Sequence, residues 1–209
     1  MGKNKETPNE SAVDDYVRAI ETLRGTADWF TLNVSSPNTP DLRKLQAPAA
    51  MRALVSQAVA AAGAVPVLVK LAPDFESGAL EETVDAIVEG GAAGLIASNT
   101  TLTRNGLRDL EKAQEAGGLS GRPLTALATQ TVRRVYSRTQ GRVPLVGVGG
   151  IATADDAWEK LLAGANLLQI YSAMIYHGPT LAHDIHVGLQ ARMDAEGVRH
   201  LSDIVGQGN

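Results

Sequence analysis

The sequence predicts an α/β protein that forms part of a (β/α)8 barrel. Three observations lead there. Apolar, β-branched runs alternate with amphipathic helical patterns along the 209 residues, an alternation that builds a parallel sheet covered by helices. No G-x-G-x-x-G follows the first apolar run, as the doubly wound dinucleotide-binding sheets would require. Glycines and hydroxyls instead follow the last two runs, where barrel enzymes place their phosphate sites.

The elements follow in order. Val13, Tyr16, Val17, Ile20 and Leu23 recur at three- and four-residue steps, a helical period closed by Gly25. Residues 29–34 read as a short strand. Pro48 opens a second helix through Met51, Leu54, Val55 and Ala58, and Gly63 ends it. Residues 65–71 form a dense run suited to a strand buried on both faces. A helix over 80–89 ends at Gly90-Gly91, and 94–98 is the next strand. Residues 100–119 are a long loop, of a length that usually serves as a lid or binding segment. A helix over 123–139, a strand over 143–148, a helix opened by Thr153 and running to 163, a strand over 167–171 and a helix over 179–196 complete the chain. Counted backward from the glycine-rich end, these are barrel strands four to eight with their helices. A whole barrel takes about 250 residues, so residues 1–209 are expected to be one N-terminally truncated barrel domain.

Composition narrows the function. Hydrophobic residues are 44% and charged residues 20%, a balance that suits a packed domain rather than a disordered chain. Nineteen Lys and Arg against 23 Asp and Glu give a net charge of −4, which argues against nucleic acid as a partner. The chain has no cysteine, so disulfides, thiolate metal sites and a cysteine nucleophile are excluded. No apolar run approaches the ~20 residues that span a bilayer, and the start lacks the apolar stretch of a signal peptide.

In such barrels the chemistry collects at the C-terminal ends of the strands. The first strand ends in Asn33-Val34-Ser35-Ser36-Pro37-Asn38-Thr39-Pro40, a polar cluster that also suits a plain turn. The second ends in Val69-Lys70-Leu71-Ala72-Pro73-Asp74. An ammonium in an apolar strand needs an anion, which is either a buried carboxylate such as Asp74 or a ligand. The third ends in Ser98-Asn99-Thr100-Thr101. Gly117-Gly118-Leu119-Ser120-Gly121 and Val148-Gly149-Gly150 offer backbone N–H groups to an anion, and with Lys70 and Tyr171-Ser172 they favour a phosphate-bearing cofactor. His183 and His186 lie three apart on the last helix, but without a third ligand they read as surface residues rather than a metal site. Glu10, Asp14 and Asp15 suit the start of the first helix.

These segments, with Arg122-Pro123-Leu124, Ile151 and Gln169-Ile170-Tyr171-Ser172, occur in the order seen in the quinone-linked (class 2) dihydroorotate dehydrogenases, which the chain resembles from Gly2 to its last helix. The resemblance implies FMN-dependent oxidation of dihydroorotate to orotate in pyrimidine (UMP) synthesis, with a quinone as electron acceptor. It implies Ser36 as the base that takes the C5 proton. Asn33, Asn38, Asn99 and Thr100 fall on substrate-binding positions. Asn4, Asn33, Lys70 and Ser98 fall on flavin-contacting positions, and Gly121, Gly150, Tyr171 and Ser172 on FMN-binding positions, the last three around the phosphate. Family members often have threonine where Ser98 and Ser172 stand, and both replacements keep the hydroxyl. The family carries more chain ahead of the Gly2-Lys3-Asn4-Lys5 segment, including helices of a quinone tunnel, and sits peripherally on the cytoplasmic face of the inner membrane. Two other readings stand beside this one: a Schiff-base aldolase using Lys70, and a non-catalytic barrel fragment.

Overall fold

A computed structural model describes the whole chain except Pro40, Ser77, Arg108 and Leu110. Five strands form one parallel sheet: β1 (Phe30–Asn33), β2 (Val67–Leu71), β3 (Gly94–Ala97), β4 (Leu145–Val148) and β5 (Leu167–Gln169), in spatial order β1-β2-β3-β4-β5. The connecting helices are α1 (Ala12–Leu23), α2 (Pro48–Ala62), α3 (Ala79–Glu89), α4 (Thr125–Thr139), α5 (Ala154–Leu162), α6 (Ser172–His177) and α7 (Leu181–Glu196). Strict sequential order has a physical consequence. Right-handed crossovers between neighbouring strands put every helix on the same face, whereas a doubly wound sheet reverses its order at a switch point. The sheet is therefore an arc with helices outside and a bare inner face.

Alternation along the strands matches that arrangement. Phe30, Leu32, Val67, Val69 and Leu71 are buried under the helices, while Thr31, Asn33, Leu68 and Lys70 point to the inner face and are half-buried. The main core fills the space between the sheet and α1–α4, with Tyr16, Ile20, Met51, Leu54, Ile87 and Leu95 essentially inaccessible. Each such large side chain contributes about 1.5–3 kcal/mol through burial. A second cluster centres on Trp158 and Leu161 of α5 and Ile185 and Leu189 of α7. Leu168 packs against both clusters and ties β5 to the rest.

Several expectations shift. Trp29 lies outside β1 and is 59% exposed, because only four residues pair with β2. The third strand stops at Ala97, one residue before Ser98, and the helix expected from 123 begins with a 3-10 turn, Arg122–Leu124, before α4. Thr153 opens α5 through a reciprocal capping box with Asp156, as its position suggested. The strand expected over 167–171 ends at Gln169 and is not buried on both faces, since Leu167 is 64% exposed on the free edge of the sheet. At the opposite edge the Met1 ammonium donates to the Thr31 carbonyl (2.7 Å) and the Asn33 N–H donates to the Met1 carbonyl (2.8 Å). That is the pattern of a parallel bridge onto Leu32, and burial lowers the pKa of this amine.

Candidate active site

The register fixes the inner face before any loop is considered. Asn33 pairs with Lys70, Lys70 with Ile96, and Ile96 with Val146, so one layer across the sheet presents an amide and an ammonium beside apolar side chains. Above this layer the strand ends open into a cavity of about 780 Å³, within the usual range for small-molecule and cofactor sites. Its lining includes Lys70, Ser98, Asn99, Thr100, Gly121, Gly150, Tyr171 and Ser172. Eight of the residues singled out in the sequence thus share one space, although they come from five segments of the chain.

The cavity has two chemically distinct ends. At one, Gly149 and Gly150 both take positive φ (116° and 72°) as the chain leaves β4. Their N–H groups, and those of Tyr171 and Ser172, find no hydrogen-bond partner among the described residues. The Ser172 hydroxyl donates to Ser120 Oγ (2.8 Å), which joins the end of β5 to the loop ahead of Gly121. Free N–H groups beside hydroxyls make an anion-binding surface. Ser120 was not singled out in the sequence; its position within the Gly117–Gly121 run was the available signal.

At the other end, Lys70 reaches no carboxylate among the described residues, and burial pulls its pKa below the ordinary lysine value. Asp74, the carboxylate suggested for it, is taken by Arg43 at 2.7 Å. The structure thus removes the ion-pair explanation of Lys70 and leaves its ammonium facing the cavity. Its neighbour Asn33 uses Oδ1 to accept from Ser35 Oγ (3.1 Å) and Asn99 Nδ2 (3.2 Å), while among the described residues Asn33 Nδ2 donates to nothing. The Asn33 carbonyl is held by the hydroxyl of buried Tyr16 (2.9 Å), whose pKa burial pushes up to about 12.

The loop after β1 separates its two serines. Ser35 is fully buried, and its hydroxyl joins Asn33 to Asn99. Ser36 is half-buried and is not among the residues that line the cavity; its Oγ accepts the Asn38 N–H at 3.2 Å. Pro40 of this loop lies outside the described residues. Asn38 itself is exposed beside Gly117. Asn4 is also exposed; its N–H donates to Asp15 of α1 (2.8 Å), which holds it at the Met1 edge rather than in the cavity lining. Ser98 is buried and Thr100 half-buried, and the Thr100 N–H donates to Asn99 Oδ1 (2.8 Å).

Three features were missed in the sequence. Arg43 donates from Nε to the Ser35 carbonyl (3.1 Å), from one terminal nitrogen to Asp74 and from the other to the Thr100 carbonyl (3.0 Å). Asp74 also accepts the Leu102 N–H (3.0 Å) and the Thr101 hydroxyl. One guanidinium thus binds together the loops after β1, β2 and β3. Arg104 does the same within loop 100–119, where it donates to the carbonyls of Leu102, Ala113, Glu115 and Gly117. Gly118 also has a different role from the one expected: a Cβ there would lie 1.8 Å from Thr100 Oγ1 and 2.9 Å from Pro37, so its smallness lets the loop close over the serine segment. His183 and His186 are exposed on α7, and no cluster of three metal-binding side chains occurs among the described residues.

Comparison with known proteins agrees with this geometry. Residues 1–193 match the family model described as dihydroorotate dehydrogenase. A dihydroorotate dehydrogenase (quinone) of Deinococcus radiodurans is 52% identical over all of this chain, and one of Anaeromyxobacter dehalogenans is 50% identical over 99% of it. The chain spans 58% of the length of each. A solved DHODH from Eimeria tenella in complex with ferulenol superposes with a TM-score of 0.92 at 34% identity, covering 98% of this chain and 60% of that one. The ligand-free form gives 0.90 at 35% identity, covering 99% and 62%. The chain belongs to the dihydroorotate dehydrogenase family, and its five strand–helix units are part of that family's (β/α)8 barrel.

Proposed function

We propose that the protein carrying this chain oxidises dihydroorotate to orotate with FMN, passes the electrons to a quinone, and so serves pyrimidine synthesis. The observation that supports this most directly is the two-ended cavity: at Gly149, Gly150, Tyr171 and Ser172, N–H groups without a hydrogen-bond partner among the described residues lie beside the Ser172 hydroxyl, and at the other end stands the Lys70 ammonium, with Asn33 next to it across the sheet. That donor set fits a ligand with a phosphate at one end and electron-rich carbonyls at the other. FMN, when bound, supplies the two-electron acceptor for the hydride that leaves C6 of the substrate.

The chain's own residues do the rest. Lys70 places a fixed positive charge, in partly water-excluded surroundings, where negative charge builds up as the hydride arrives. Asn33 orients beside it through its contacts to Ser35 and Asn99. Ser36 takes the proton from C5. The Asn38 N–H on its Oγ favours the charged form of the hydroxyl and so helps a weak base act. Asn99, Asn38 and Thr100 surround the space for the substrate's carboxylate and ring amides. Asn4 is proposed to approach the flavin from the Met1 edge.

No helix of the described residues is long and apolar enough to cross a membrane. We place the quinone contact in the part of the relatives that this chain does not span, and the protein peripherally on the cytoplasmic face of the inner membrane. The test is the visible spectrum of the purified intact protein. Flavin bands that bleach anaerobically on adding dihydroorotate and return with quinone are expected; a colourless protein refutes the proposal. Borohydride trapping of a carbonyl substrate on Lys70 would move the assignment to an aldolase.

A further inference from the structure

Lys160 has no accessible surface. It projects from α5 toward α4, where Nζ donates to the Thr125 carbonyl (3.1 Å) and to the Thr129 hydroxyl. Neither group carries charge. The charged groups around it are Asp156 and Glu159 on its own helix and Arg133 on α4. Asp156 is committed to the N–H groups of Ala152 and Thr153, and Glu159 reaches Arg133 at 3.6 Å. A buried ammonium without a carboxylate partner is costly, so its retention calls for an anion elsewhere.

The geometry says where. Thr125, which accepts from Lys160, donates its own hydroxyl to the Gly150 carbonyl at 2.9 Å. Gly150 sits so tightly on it that a Cβ would lie 2.6 Å from Thr125 Cα. On the strand side, a Cβ on Gly147 would lie 3.5 Å from Lys160 Cβ. The ammonium is therefore lodged directly behind the Gly149-Gly150 turn, one residue away from the N–H groups that face the cavity. We propose that Lys160 is the interior counter-charge for the cofactor's phosphate, acting through Thr125 and the glycine turn without touching the ligand. The inference rests on the flavin reading above. The interior offers little screening, so a charge at this remove still acts on a bound anion. Burial, with a smaller push from Arg133, brings the pKa of Lys160 down to about 8, although Asp156 and Glu159 pull the other way.

The experiment titrates the deflavinated intact protein with FMN and with riboflavin, which lacks the phosphate, and follows quenching of flavin fluorescence. Lys160→Met, close in volume, is expected to weaken FMN by about tenfold or more while riboflavin stays within about twofold, because only the phosphate senses the lost charge. Thr129→Val, which removes a hydrogen bond but no charge, should keep the wild-type FMN-to-riboflavin ratio. Equal losses for both flavins, or no loss for either, overturn the proposal in favour of a packing role. Should Lys160→Met not fold, the wild type decides: its FMN preference should decline as pH rises past about 8, and a flat ratio from pH ~7 to ~9.5 overturns the proposal. A wild-type protein that binds neither flavin overturns the flavin reading itself, an outcome distinct from a lost FMN preference.

Discussion

Replacing Arg43 by alanine removes a connection that no single loop can restore. Its guanidinium makes three bonds, to the Ser35 carbonyl, Asp74 and the Thr100 carbonyl, and the Arg43 and Asp74 side chains are only 19% and 17% exposed. Hydrogen bonds to a charged group are each worth ~1.5–3 kcal/mol, but water re-solvates part of what is uncovered, so the expected loss is about 3 kcal/mol. For a chain of this size that lowers the melting temperature by about 6–12 °C. Asp74 remains held by Thr101 and Leu102, so the loops slacken rather than unfold. Slack of ~1 Å in positioning groups costs roughly a hundredfold in rate. Anaerobic flavin reduction by dihydroorotate, at saturating substrate and with flavin content measured, reads this directly. Arg43→Lys should regain part of the stability but little of the rate, since one ammonium cannot serve three divergent acceptors. An Arg43→Ala protein with full flavin and turnover within about threefold of wild type would refute the reasoning.

Three other outcomes follow from the same geometry. Ser36→Ala should lower turnover by about 10²–10⁴ with flavin still bound, whereas Ser35→Ala, which unmakes a buried junction of Asn33 and Asn99, should cost ~1–3 kcal/mol of stability; the reverse pattern reassigns the base. Lys70→Ala should lose flavin retention and reduction rate together, and Lys70→Arg should rescue neither; full occupancy with an unchanged rate of reduction contradicts the role given to Lys70. Lys160 should leave a pH signature in the deflavinated protein. Its folded pKa of about 8 lies below the ordinary lysine value of 10.5, so the unfolded chain binds more protons between those values and stability rises with pH across that window. The gain is about 3 kcal/mol, and urea denaturation of wild type against Lys160→Met should show it; parallel curves from pH 8 to 10 would count against it.

The strand–helix order was readable because the buried strands are short, mostly apolar runs and the helices carry buried residues at three- and four-residue steps, as Tyr16 and Ile20 show for α1. The α6 helix left no such trace: its six residues bury none of their side chains and no side chain caps its start. The site's contents were readable because Lys70, Ser98 and Gly150 lie at or just past strand ends, where side chains and free backbone groups gather at the barrel mouth. Arg43 and Arg104 could not be read, because their partners are chosen by loop geometry; Thr100 lies 57 residues from Arg43. Lys160 did leave a signal. It shares the buried arc of α5 with Ala157 and Leu161 at helical spacing, a place where a lysine calls for explanation.

Arg104 changes how loop 100–119 behaves mechanically. Its guanidinium gathers carbonyls from the outgoing limb and from the returning one, and Thr101 and Leu119 are cross-bridged where the loop meets the sheet. A stretch that by length alone would be a floppy strap is thereby cross-tied between its two limbs. Leu107 and Leu119 line the cavity from these tied limbs, so a ligand there meets a loop braced at Arg104. A protease nick after Asn105 would leave both halves attached, with Arg104 as the clasp. Removing the clasp, not cutting the chain, is what would set the two limbs free.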